Sequence, residues 1–377
     1  MDFSWSAEQT ELFEAAVSFA RAKLTDPPGD DAAFRAAFAA LGEIGALGLC
    51  IDERWGGMGL DSLTTARAVE GLGEGGGDLG VLFSAAAHLF ACVVPIAAYG
   101  SDELRERCVP RLCRGEWIGA NAITEAEAGS DIAKLATTAT RDGDHYVLDG
   151  AKSYVTNGPL ADLLLVYATV DPRHGYMGIT GFVVERQTPG LVAGERFETM
   201  GLESSPISTV YLDGCRVPAT HRLGSEGQGS EIFAESMHYE RACLLAAWCG
   251  AMELQLRRVI EHARDRKQFR RPIGKYQAVS HRIADMKLRL ETARLLLYRA
   301  CWTRDQGEQA TTEVALAKLA ISEAAIHNAL DAIQTFGGAG YMKEVGIERG
   351  LRDAVPTTIF SGTSEIQRDL IAKGLGL

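Results

Sequence analysis

Leu12, Phe13, Ala16, Val17 and Ala20 recur at helical spacing behind Ser6-Ala7-Glu8-Gln9, a capping-box pattern that opens a helix. The same period predicts helices over Phe34–Leu47, Thr64–Leu72, Leu82–Tyr99 and Asp102–Cys113, separated by the glycine-rich runs Trp55–Gly59 and Gly75–Gly77. From about Trp117 the period changes. Tyr146–Leu148, Leu163–Ala168, Gly181–Glu185 and Thr209–Leu212 are short apolar or alternating runs bounded by Gly, Asp, Asn and Pro, the pattern of antiparallel strands. After the glycine-flanked loop Gly224–Gly229 the helical period returns over Phe233–Arg264, Gln277–Asp305 and Thr312–Phe336, with breaks at Arg271-Pro272 and Gly337-Gly338. The order helices, sheet, long helices is uncommon. It predicts an α+β chain in three units, divided at 1–117, 118–224 and 225–377.

Composition narrows the class. A chain of 377 residues is too long for one ordinary core, and 46% hydrophobic with 23% charged residues is the balance of a globular protein. A net charge of -12 argues against non-specific binding to nucleic acid or to an anionic membrane. The eight cysteines are scattered, without a Cys-x-x-Cys pair or a histidine at zinc spacing, so they read as reduced, packed thiols and no metal site is expected. Met1 leads directly into Phe3-Ser4-Trp5-Ser6 with no basic or apolar leader, and by inspection no stretch reaches the roughly 18 apolar residues of a membrane span. A cytoplasmic protein is expected.

Five runs carry candidate chemistry, and each has a plain reading beside the functional one. Ile123–Asp131 (Ile-Thr-Glu-Ala-Glu-Ala-Gly-Ser-Asp) sits where helix gives way to sheet; it is a turn, or a loop small enough to bring backbone N–H groups and hydroxyls against a polar ligand. Lys152–Gly158 follows a strand as a polar turn. Arg264–Phe269 is a basic helix end, where cations offset the C-terminal dipole. Glu240 before Arg241 is an ion-paired helix glutamate or a buried carboxylate. The fifth run is Ile359–Arg368, which contains Ser361-Gly362-Thr363.

Taken in order, these runs resemble the acyl-CoA dehydrogenase family over nearly the whole chain. The fold so implied is an N-terminal helical domain, a middle antiparallel β-barrel and a C-terminal four-helix bundle, with FAD at their junction and a homotetramer built from two dimers. The resemblance implies that Ile123 and Thr124 contact the flavin ring and Ser130 the FAD pyrophosphate, although Ala126 replaces a common proline. Tyr154 stands for the usual tryptophan at the flavin edge, and Thr156 keeps the hydroxyl near N5. Arg266, Gln268 and Phe269, with Gln334, Gly337 and Gly338, match positions that hold the FAD of a neighbouring subunit; Arg270 replaces a common glycine. Thr363 and Glu365 match FAD contacts.

The family often carries its catalytic glutamate just before Gly-Thr, where this chain has Ser361. One branch places it before an arginine on an earlier helix, as Glu240 stands before Arg241. The resemblance therefore assigns α-proton abstraction to Glu240, an ordering role to Arg241, and thioester-oxygen binding to the backbone N–H of Ser361. Ala85–Cys92, Glu240–Leu244 and Ile359–Thr363 look like the flavoproteins that oxidise L-proline on a peptidyl carrier protein to the pyrrole-2-carboxyl thioester. That implies a carrier partner presenting a phosphopantetheine-linked prolyl group. Two rivals stay open: a short- or branched-chain acyl-CoA dehydrogenase of isovaleryl-CoA type, and a catalytically silent FAD-binding homologue. His88, on an apolar helix, is read as a packed histidine rather than a substrate contact.

Overall fold

The computed structural model describes residues 4–377, so the first three positions of the leader argument lie outside it. Helices α1 (Ala7–Lys23), α2 (Asp31–Glu43), α3 (Ser62–Glu74), α4 (Leu79–His88), α5 (Val94–Tyr99) and α6 (Asp102–Cys113) form the first unit. The capping box is present in full: Ser6 Oγ accepts from Gln9 N, and Gln9 Oε1 accepts from Ser6 N, each at 3.1 Å. Between α4 and α5 the chain does not break but widens into a π-helical turn, Leu89–Val93. The predicted helix to Leu47 ends earlier, at Glu43, because Gly45 turns the chain at φ 75°. Leu47, Leu49 and Ile51 are buried from turns, not from a helix face.

Eight strands follow: β1 (Gly119–Ala122), β2 (Thr138–Asp142), β3 (His145–Thr156), β4 (Leu163–Thr169), β5 (Ile179–Glu185), β6 (Leu191–Arg196), β7 (Ile207–Pro218) and β8 (Arg222–Leu223). Their order is β6-β7-β3-β2-β4-β5-β8, with β1 also paired to β4. Most pairs are antiparallel; β1 and β2 meet β4 in parallel. The uninterrupted apolar run of β4 has a simple cause. Leu163, Leu165 and Tyr167 enter the core shared with the helices, while Leu164, Val166 and Ala168 enter a separate core inside the sheet unit. A strand buried on both faces has no polar alternation to show.

The last unit contains α7 (Gly229–Tyr239), a second π turn (Glu240–Leu244), α8 (Ala246–Asp265), a two-residue hairpin of β9 (Lys267–Gln268) with β10 (Arg271–Pro272), and then α9 (Gln277–Asp305), α10 (Thr311–Phe336), α11 (Arg349–Ala354) and α12 (Ser364–Gly374). The single long helix expected over Phe233–Arg264 is thus interrupted at Glu240. Helices α3 and α8 approach backbone to backbone: a Cβ on Gly73 would lie 2.0 Å from the Ala247 carbonyl oxygen, and one on Gly250 would lie 2.0 Å from that of Glu70. Glycine alone permits that approach.

One further expectation is corrected. The stretch Leu79–Tyr99 is long and apolar enough to cross a membrane, with a mean hydropathy of 2.1, but 83% of that window is buried inside the protein.

Candidate active site

Each π turn inserts one extra residue into a helix, and such turns are used where a side chain must be re-aimed. The two π turns pack against each other, with the rings of Phe90 and Tyr239 parallel and their centroids 6.3 Å apart. Glu240 is the first residue of the second π turn and is buried, at 8% exposure. Ser361 Oγ donates to Glu240 Oε1, so the serine found where a glutamate is common hydrogen-bonds to the glutamate that stands elsewhere. Burial pushes the Glu240 carboxyl up from its ordinary value, while the Ser361 hydroxyl, Arg241 and Lys318 pull it back; the net direction is upward.

Arg241 turns away from the carboxylate to reach the loop beyond it: its Nε donates to the Ser361 carbonyl oxygen at 2.7 Å. Ser361 has φ 54° and Gly362 φ 89°, a left-handed pair that is costly for serine and is held from both sides. Gln367 Nε2 donates to the Gly362 carbonyl at 2.9 Å, and Thr363 caps α12 through its hydroxyl. Phe360 packs on Phe83 and Trp248, at 4.7 and 5.7 Å between ring centroids. Glu365 points to solvent.

A second group gathers at the edge of the sheet. Ser153 N donates to the Thr124 carbonyl at 2.8 Å, and Lys152 Nζ donates to the Ile123 carbonyl at 3.2 Å and to Glu125 Oε1 at 2.6 Å. Glu125 also accepts from the backbone N–H of Ala136 and of Thr137. Lys152 is wholly buried, and burial pushes its ammonium down to about 8 against the upward pull of Glu125. The pair therefore clamps the Ile123–Asp131 loop onto β3. Among the described residues the hydroxyls of Thr124, Ser130 and Thr156 make no hydrogen bond within the chain, which leaves them available to a ligand. Tyr154 projects at 68% exposure from a backbone at φ 55°, touching Phe197. A planar, polar-edged ligand such as a flavin fits this set: free hydroxyls, one exposed aromatic face and a clamped loop of small residues.

The third group stays apart. Arg266 ends α8, Gln268 lies in β9, and Phe269 projects at 89% exposure. Phe269 and Arg270 take φ 48° and 68°, the two left-handed positions of a primed hairpin turn, which gives a physical reason for glycine being common at 270. Gln334, Gly337 and Gly338 are exposed at the end of α10, and a Cβ on either glycine would meet nothing within 4 Å. Among the described residues no hydrogen bond or ion pair joins this group to Glu240 or to Thr124.

His88 is fully buried. Its Nδ1 accepts from Gly119 N at 2.8 Å, its Nε2 pairs with the Leu112 carbonyl at 3.1 Å, and burial pushes its pKa down to about 4. Both ring nitrogens are occupied in tying α4 to β1 and α6, so the packed reading holds. Residues given no role from sequence are Glu125, Lys152, Gln367 and Lys318. Lys318 had a legible signal: it lies on the stripe Val314, Ala315, Ala317, Ile321, Ala324 and Ala325 that α10 buries.

Three family models match successive stretches of the chain: the acyl-CoA dehydrogenase N-terminal domain over residues 6–116, its middle domain over 120–215 and its C-terminal domain over 227–376. An L-prolyl-[peptidyl-carrier protein] dehydrogenase of Pseudomonas fluorescens is 51% identical over 341 residues, 90% of each chain. Another of that name, from a Serratia species, is 42% identical over 385 residues, covering 100% of this chain and 99% of the relative. Among solved structures, PigA with FAD and proline superposes over 100% of both chains with a TM-score of 0.97 at 41% identity.

Proposed function

The chain belongs to the acyl-CoA dehydrogenase family, and from that premise we propose that it is an FAD-dependent dehydrogenase of L-prolyl thioester carried on a peptidyl carrier protein, with pyrrole-2-carboxyl thioester as product. The observation that carries this reading is a buried carboxylate, Glu240, at a helix irregularity and hydrogen-bonded to Ser361, in a chain whose relatives at 51% and 42% identity are named for that substrate. Such a carboxylate also argues against a silent scaffold.

Glu240 takes the proton from the carbon α to the thioester carbonyl. Its raised pKa brings it closer to that weak acid, and its enclosure keeps water from competing for the role. As the proton leaves, charge builds on the thioester oxygen, and the backbone N–H of Ser361 is the donor assigned to it. Arg241 fixes the Ser361 carbonyl, and so the direction of the peptide planes on either side of that strained residue. Bound FAD supplies the acceptor for the hydride that leaves the β-carbon. Ile123, Thr124, Ser130, Tyr154, Thr156, Thr363 and Glu365 would hold it. Each two-electron oxidation removes two hydrogens from the ring, so a pyrrole requires two, and an external electron acceptor must take up the electrons of the first before the second.

The third group of residues serves a second copy. Arg266, Gln268, Phe269, Gln334, Gly337 and Gly338 would complete the flavin site of a neighbour in a homotetramer. Support comes from α9, which exposes Leu288, Leu295 and Trp302 at seven-residue spacing (65%, 49% and 54%), a stripe that a monomer would leave in water. A cytoplasmic location accords with the metabolic role. Substrate choice tests the reading: the flavin of the holoenzyme should bleach with L-prolyl carrier protein and stay oxidised with isovaleryl- or butyryl-CoA. Bleaching by those acyl-CoA thioesters and not by the carrier would make it an acyl-CoA dehydrogenase of ordinary type.

A further inference from the structure

Lys318 is a buried charge to which the mechanism above gives no step. It is 0% exposed on α10, and its Nζ has no hydrogen-bond partner. An ammonium taken out of water without a counter-ion costs several kcal/mol, so a fold that keeps one normally uses its field. Helix α10 packs on the π turn that carries Glu240 and on α12, and it buries Lys318 completely. On α12, Gln367 is also incompletely bonded: its Nε2 is engaged with the Gly362 carbonyl, while its buried Oε1 has no partner.

We propose that Lys318 is a positioning residue for Glu240, a buried cation that with the half-buried Arg241 keeps the base ionised until it takes the substrate proton. The inference rests on the assignment of Glu240 as base. Arg241 and Lys318 together outnumber the one carboxylate in the enclosed site. The base enters the reaction anionic and leaves it neutral, while the thioester gains the charge. The excess cation is therefore available to the enolate throughout, with no rearrangement.

The groups acting on this pair are few. On β4, the buried phenol of Tyr167 is pushed well up by burial and then by Cys92 and Glu240. Glu323 on α10 and Glu365 on α12 act on Lys318 from the solvent side, where Glu323 also accepts from Ser364 and pairs with Arg368. The charges that α3 and α9 bring nearby are engaged elsewhere: Glu70 with Arg294, and Arg304 over the Tyr239 ring at 3.5 Å. Burial pushes Lys318 itself down to about 8, so it is mostly charged at neutral pH.

Two readouts test this on flavin-loaded enzyme: the acid limb of anaerobic flavin reduction against pH, and the infrared carboxyl band that Glu240→Gln removes, titrated without substrate. Lys318→Met should move both upward by about one pH unit, whereas Lys318→Arg should leave them at the wild-type position. A packing role would lower flavin content or stability without moving either. Unmoved limb and band in Lys318→Met, or in Lys318→Gln should the first variant not fold, overturn the proposal. The band separates the two assignments: if Glu240→Gln still reduces flavin the base lies elsewhere, yet the titration still reports on Lys318.

Discussion

The pocket around Glu240 and the surface around Phe269 are built in opposite ways. At the first, a carboxylate at 8% exposure is tied to Ser361, the Ser361 carbonyl is tied to Arg241, and the neighbouring carbonyl is tied to Gln367. At the second, an aromatic residue stands at 89% exposure beside glycines whose missing side chains would touch nothing. One region is finished within a single chain. The other holds strained backbone at Phe269 and Arg270 and leaves the Phe269 ring in solvent. On the proposed reading, the contrast separates chemistry, which one chain encloses, from cofactor retention, which would need a second copy.

If that division is right, the two regions fail differently when broken. Glu240→Gln should bind FAD and fold normally while reducing it about 10³-fold more slowly, as expected for loss of a general base; stopped-flow bleaching under anaerobic conditions measures it. Lys152→Met leaves Glu125 buried without its counter-ion and should cost about 3–5 kcal/mol, seen as a lower Tm and weaker flavin retention. Arg266→Ala should do the reverse of Glu240→Gln. Flavin is lost and the protein shifts to smaller oligomers on size exclusion, yet the infrared band of Glu240 stays in place. A variant that remains fully flavinated and tetrameric would reduce Arg264–Phe269 to a basic helix end. Ser361→Ala is the mildest change: only its backbone N–H is required for chemistry, so the rate at high pH should fall by no more than a few fold. Because the lost hydroxyl had favoured the ionised form more strongly than Lys318 does, the acid limb should move up by at least as much as in Lys318→Met, about one unit.

Much of this was legible in the sequence, and the exceptions share a cause. The helix starts, the strand β4 and the paired positions Glu240 and Ser361 follow from local pattern and motif. What the pattern could not show was geometry that leaves periodicity nearly intact. The π turns at Leu89 and Glu240 add one residue inside otherwise continuous apolar helices, so the run reads as one helix. Strands β1, β2 and β6 were missed because Gly-Ala-Asn-Ala, Thr-Ala-Thr-Arg-Asp and Leu-Val-Ala-Gly-Glu-Arg carry weak alternation; tertiary pairing, not propensity, makes them strands. Lys152 reads as the start of a polar turn, and Lys318 lies on the apolar stripe of α10 without a role. The structure shows that one clamps a loop and that the other is buried without a hydrogen-bond partner.

The central claim, that Glu240 opens the oxidation of a carrier-bound prolyl ring to a pyrrole, is tested most directly by the intact mass of the carrier protein. After incubation with the flavin-loaded enzyme, L-prolyl carrier should lose four hydrogens, D-prolyl carrier should react poorly, and Glu240→Gln should leave the L-prolyl mass unchanged. An L-prolyl mass untouched by the wild-type enzyme, or an equal loss with the Glu240→Gln variant, would contradict the account.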